Sequence, residues 1–210
     1  MTQTLFIYVH GFNSSPASVK ARLLGDWLAG RGLADQYRVP ALSHWPAEAM
    51  AQLAALVEAE PRRPVLLIGS SLGGFYSTAL VERFANCRAV LVNPAVAPDE
   101  LLEDWLGDNE NLYTHEHYEL TREHLEQLRA LRCGDLGAPG RYLLLQQTGD
   151  ETLDYREALS RYRDCPQFVQ PGGSHGFDRF EALLPAILAF AEGRLELPEP
   201  VALPFSQLSH

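Results

Sequence analysis

Three cysteines in 210 residues are too few for a disulfide framework, and Cys87, Cys133 and Cys165 are too scattered for a metal clip. Positive charge is also scarce. Seventeen Lys and Arg against 27 Asp and Glu leave a formal net charge of −10, which argues against a phosphate backbone as partner. No apolar run approaches the ~20 residues that cross a bilayer. Met1-Thr2-Gln3-Thr4 leads straight into apolar residues, without a basic n-region or a signal-type apolar core. No segment repeats, and no linker divides the chain. With 46% hydrophobic and 21% charged residues, the expectation is one soluble globular domain in a reducing cytoplasm.

What is present is a strand, a sharp glycine turn and a helix. Val65-Leu66-Leu67-Ile68 is a short apolar run of the kind that forms a buried parallel strand. Gly69-Ser70-Ser71-Leu72-Gly73 follows, and Leu72, Phe75, Tyr76, Ala79 and Leu80 then recur at helical spacing. Gly-x-Ser-x-Gly between a strand and a helix is the nucleophile-elbow pattern, which raises Ser71 at the end of a sheet. The helix N-terminus beneath it favours negative charge, and the Leu72 N–H is placed to donate to an oxyanion.

Strand and helix alternate along most of the chain. Leu5–Val9, Arg88–Val92, Arg141–Gln146 and Gln167–Val169 read as strands, and Tyr37–Val39 as a weak one. Helices are expected after Ser15-Pro16, with Ser15 as N-cap, from Pro46 to before Pro61, from Asp154 to Tyr162, and from about Asp178 to Ala191. Pro185 inside the last one marks a kink or a new start. From about 95 to 140 no strand is expected. Leu101, Leu102, Trp105 and Leu106 suggest one short helix there, and Leu120, Leu125, Leu128 and Leu131 a second with Thr121 as N-cap. The fold class is therefore α/β: a mostly parallel sheet of about six strands, helices on both faces, and a small helical cap insertion over Ser71. Residues 193 to 210 show no period and read as an extended arm.

Ligands in such sheets bind beyond the carboxyl ends of the strands. The residues expected there are His10-Gly11-Phe12, Ser71, Asn93, Asp150 and His175. A serine, an acid and a histidine in that chain order match the α/β-hydrolase arrangement of a Ser-His-acid triad. Ser71 is the candidate nucleophile, His175 its base, and Asp150 the group that fixes the imidazole tautomer. The Phe12 and Leu72 backbone N–H groups are the candidate oxyanion donors. Asp154 is the alternative acid, although it stands where a helix N-cap is expected. His10 is read as ordering the loop, and His115 and His117, two residues apart with no third ligand, as solvated. No metal or cofactor is expected.

The segments His10-Gly11-Phe12-Asn13-Ser14-Ser15-Pro16, Gly69-Ser70-Ser71-Leu72-Gly73-Gly74, Thr148-Gly149-Asp150-Glu151 and Gly173-Ser174-His175 together resemble the YqiA family of small bacterial α/β-hydrolases. The likeness runs from about residue 4 to 192. It implies a compact α/β-hydrolase lacking the first two sheet strands of larger members, with esterase activity on acyl-CoA thioesters and simple aryl esters. By motif match it also gives Ser71, Asp150 and His175 the triad positions. A small-molecule ester or acyl-CoA is then the expected partner, with neither nucleic acid nor membrane. A peptidase or C–C hydrolase would use the same triad, and a non-catalytic binding module of this fold stays open as a different class. A dehalogenase reaction needs a carboxylate at the elbow, where this chain has Ser71.

Overall fold

The apolar runs become the inner strands of one sheet in the computed structural model, which describes residues 4–205; residues 1–3 and the last five of the expected arm, 206–210, lie outside it. Six strands pair in the order β2-β1-β3-β4-β7-β8: β1 Leu5–Val9, β2 Tyr37–Arg38, β3 Val65–Ser70, β4 Cys87–Val92, β7 Tyr142–Gln147 and β8 Gln167–Gln170. Every neighbouring pair is parallel, with Leu5 opposite Val65, Gly69 opposite Leu91 and Val92 opposite Leu145. All their carboxyl ends therefore share one rim.

Both faces of the sheet are covered, which explains why its strands read as unbroken apolar runs rather than alternating ones. Leu5, Ile7, Val9, Leu67, Leu91 and Leu144 pack under α2 (Pro46–Glu58), α3 (Leu72–Arg83), α5 (Arg122–Ala130) and α6 (Tyr155–Arg161). Phe6, Tyr8, Leu66, Ile68, Val90 and Leu145 pack under α1 (Val19–Ala29) and α7 (Leu184–Ala191). Each fully buried Leu or Ile contributes about 1.5–3 kcal/mol relative to exposure. The chain leaves β1 toward β2 on one side and resumes at β3 on the other. That reversal opens a crevice between the ends of β1 and β3.

Three local expectations are corrected. The first helix begins at Val19, not at Pro16: Ser15 Oγ accepts from the Ala17 N–H at 3.1 Å in a turn that precedes it. Val19 and Leu23 on this helix are exposed and line a cavity. Second, the segment from 95 to 140 is not strandless. After α4 (Pro98–Leu101) and a 3-10 turn at Leu102–Trp105, β5 (Gly107–Glu110) and β6 (His117–Leu120) form an antiparallel hairpin. Gly-Asp-Asn-Glu carries no apolar alternation and His-Tyr-Glu-Leu only one short one, through Tyr118 and the buried Leu120; side-chain amides also tie this segment to the loop after β1. Third, the helix expected from about Asp178 is first a 3-10 turn at Phe180–Leu183 and only then α7; the new start expected at Pro185 is present, for Pro185 lies in the first turn of α7, where a missing N–H costs nothing. Thr121 closes a capping box with His124 at the start of α5, and Asp154 caps α6 through the Arg156 N–H.

Candidate active site

The crevice at the ends of β1 and β3 is built by very close backbone approach. Ser71 ends the turn after β3 with φ 55° and ψ −122°, a conformation an L-residue adopts only when its surroundings impose it. Its carbonyl accepts from the Gly74 and Ala95 N–H groups, and its own N–H donates to Val92. The flanking glycines are there for space. A Cβ on Gly73 would lie 1.9 Å from the Val9 carbonyl oxygen, and one on Gly69 would lie 2.4 Å from that of Gly73. Helix propensity alone would make Gly73→Ala stabilising by up to ~1 kcal/mol. Backbone overlap reverses the sign, so denaturant unfolding of Gly73→Ala is expected to show a loss of about 3 kcal/mol.

Histidine and acid meet on the same rim. His175 Nδ1 lies 3.0 and 2.9 Å from the two Asp150 oxygens, and the Asp150 side chain is completely buried. Asp150 Oδ1 also accepts from the Thr152 and Leu153 N–H groups at 2.9 and 2.8 Å. A carboxylate only accepts, so the Nδ1 facing it carries the proton and Nε2 is left free for a second partner. Ser71 and His175 line the same two cavities. One, of about 740 Å³, runs under Leu101, Leu102, Trp105, Leu106 and Leu112; the other, of about 500 Å³, runs toward Val19, Leu23 and Phe180. Asp154, the alternative acid, is occupied at the cap of α6 by Arg156.

Phe12 and Leu72 border the larger cavity beside Ser71. Leu72 is the first residue of α3, where the backbone N–H has no intrahelical acceptor. Gly11 brings its loop against the elbow: a Cβ there would lie 3.1 Å from the Ser71 Cβ. His10 works from behind. Its Nδ1 lies 3.1 Å from the Gly11 carbonyl, its Nε2 accepts from the Leu42 N–H, and burial holds its pKa below the usual imidazole value, so the ring is a neutral strut. The hairpin docks on the same loop. Tyr118 donates to Asn13 at 2.6 Å, Asn111 to the Ser14 carbonyl at 2.9 Å, and the Trp105 ring meets the Phe12 ring edge-on at 5.8 Å. His115 Nδ1 lies 2.6 Å from Glu110 Oε1 across the hairpin's end.

Two residues near the site, Gln147 and Lys20, escaped the sequence reading, and Asn93, expected on the rim, has a bracing role that the sequence did not show. Asn93, buried with φ 42°, donates to the Ser174 and His175 carbonyls and accepts from the Gln147 N–H. The Gln147 side chain accepts from the Ser174 and Asp178 N–H groups. Lys20 donates to the Gly176 carbonyl at 2.8 Å and lines the smaller cavity; burial lowers its pKa to about 8, against the pull of Asp150. Its signal was in plain view, since it is the only lysine in the chain.

Comparison with known proteins agrees with the architecture. A protein from Agrobacterium vitis S4 described as a hydrolase matches with a TM-score of 0.70 at 21% identity, over 88% of each chain. Est1E from Butyrivibrio proteoclasticus, with ferulic acid bound, matches with a TM-score of 0.66 at 15% identity, over 92% of this chain and 90% of that one. Mouse alpha/beta hydrolase domain-containing protein 10 matches with a TM-score of 0.65 at 15% identity, over 91% and 89%. At these identities the likeness is one of fold, and the fold is that of the α/β-hydrolases. Among the described residues no helix is long and apolar enough to cross a membrane. The model of the Uncharacterised protein family (UPF0227) matches residues 5–192, and the chain belongs to that family.

Proposed function

We propose that the protein is a serine hydrolase that cleaves carboxylic esters or thioesters through an acyl-enzyme. The observation that carries this is the buried Asp150 accepting from His175 Nδ1, on a histidine that shares its cavities with the strained Ser71. In the reaction, His175 Nε2 takes the Ser71 proton as Oγ attacks the carbonyl carbon. The Phe12 and Leu72 N–H groups receive the negative charge that develops on the carbonyl oxygen. His175 then returns the proton to the leaving alcohol or thiol. A water, deprotonated by the same imidazole, attacks the acyl group and restores Ser71. Asp150 stabilises the imidazolium in both halves of the cycle. These steps call on no metal or cofactor.

Charge around the larger cavity bears on the substrate. Asp104, Asp108, Glu110 and Glu151 line it, and no Lys or Arg does. An apolar channel rimmed by carboxylates favours an uncharged acyl ester and opposes coenzyme A, whose phosphates would stand among like charges. We expect an uncharged aryl thioester of butyrate to be hydrolysed with a kcat/KM about tenfold above that of butyryl-CoA at low ionic strength. Added salt should narrow the gap. Hydrolysis of the two at matched concentrations, with and without salt, tests this. A faster CoA thioester, slowed by salt, would overturn the preference for uncharged substrates, and no turnover of either would count against the hydrolase itself.

A further inference from the structure

The tail beyond the family match does more than trail across the surface. The chain leaving β8 toward His175 is flanked on both sides. On one side lies the loop that carries Asp150: the Gly149 N–H donates to the Gly172 carbonyl at 2.9 Å, and the Gly172 N–H to Thr148 Oγ1 at 3.0 Å. On the other side lies the tail. The Leu203 N–H donates to the Pro171 carbonyl at 2.8 Å, and the Gly173 N–H to that of Pro204 at 2.9 Å. Gln170 Nε2 donates to the Val201 carbonyl at 3.1 Å, and Gly173 and Phe205 form a parallel bridge. Contact is tight enough that a Cβ on Gly172 would lie 1.8 Å from the Leu203 carbonyl oxygen, and Gly172 and Gly173 take φ of 78° and 79°. β8 (Gln167–Gln170) is the last strand of the sheet, and the tail runs along the segment that follows it.

We propose that residues 201–205 are a positioning element for the proposed base, clamping the Gly172-Gly173 backbone onto the Asp150 loop so that His175 Nδ1 stays on its carboxylate. This rests on the serine-hydrolase reading above. Only Ser174 separates Gly173 from His175, so a shift of the clamped backbone reaches the imidazole with little room to decay. The Ser174 N–H is held by Gln147, and the His175 N–H by Glu151. The tail closes the remaining side. It lies outside residues 5–192, so the matched family region does not include this support.

The test uses the full chain. Leu203→Pro removes the N–H that donates to Pro171, whereas Leu203→Ala keeps it. With the uncharged thioester, Leu203→Pro is expected to lower kcat about tenfold while KM changes less than twofold. The proton NMR signal of the Nδ1–H shared with Asp150 should broaden or vanish, and Leu203→Ala should restore both. Wild-type kcat and an intact Nδ1–H signal in a folded Leu203→Pro would overturn the proposal. Should that variant fail to fold, hydrogen exchange on the wild-type protein decides. Protection at Leu203, Gly173 and Gly149 that is lost together supports a clamp. A freely exchanging Leu203 beside a protected Gly149 overturns it. Wild type that neither turns over nor reacts with a fluorophosphonate would sink the hydrolase reading instead, and the exchange result would stand apart from it.

Discussion

Ser71→Ala is expected to abolish ester turnover, by on the order of 10,000-fold in kcat, without unfolding the protein. The size follows from what the hydroxyl does in the proposed cycle: without Oγ no acyl-enzyme can form, and only binding and the oxyanion donors remain. Stability should hold, because the elbow is kept in place by backbone bonds. The Ser71 carbonyl still receives Gly74 and Ala95, and its N–H still reaches Val92. Substrate turnover and thermal unfolding measured on one preparation check both halves. An active Ser71→Ala would move the chemistry to another residue.

Asp150→Asn is expected to cost about 1,000-fold in kcat, and the geometry gives a specific reason. Oδ1 of Asp150 is already bound by the Thr152 and Leu153 N–H groups, which also fixes the orientation of an amide put in its place. The carbonyl oxygen of Asn would keep those two donors, and its NH₂ would take the Oδ2 position, 2.9 Å from His175 Nδ1. An N–H aimed at Nδ1 makes that nitrogen the acceptor and moves the ring proton to Nε2, the atom that must be free to take the Ser71 proton. The base is lost by a change of tautomer, with the fold intact. Asp154→Asn, at the cap of α6, should keep wild-type turnover. The reverse pattern would assign the acid to Asp154.

Much of this site was legible because its parts lie at the ends of long apolar strands. β1, β3, β4 and β7 are buried on both faces, so each left a continuous apolar run, and the polar residue ending each run pointed to the rim. The elbow was legible for a second reason: backbone approach there tolerates only glycine, as at Gly69 and Gly73. The hairpin β5–β6 was not. Its strands earn their place through Asn109, Asn111 and Tyr118 bonding to Asn13 and Ser14, about a hundred residues away, and such bonds leave no period in the sequence. The bracing by Asn93 and Gln147 is hidden for the same reason, with partners 81 and 27 residues distant. The tail read as an unpatterned arm because its backbone, rather than its side chains, makes the contacts.

The central claim is that Ser71 is a nucleophile activated by His175. Reaction with a fluorophosphonate, followed by mass spectrometry of the digested protein, measures it most directly. A single adduct on the peptide carrying Ser71, formed quickly by wild type and at least a hundredfold more slowly by His175→Ala, is the expected result. No adduct on wild type, or one that forms equally fast without the imidazole, would contradict it.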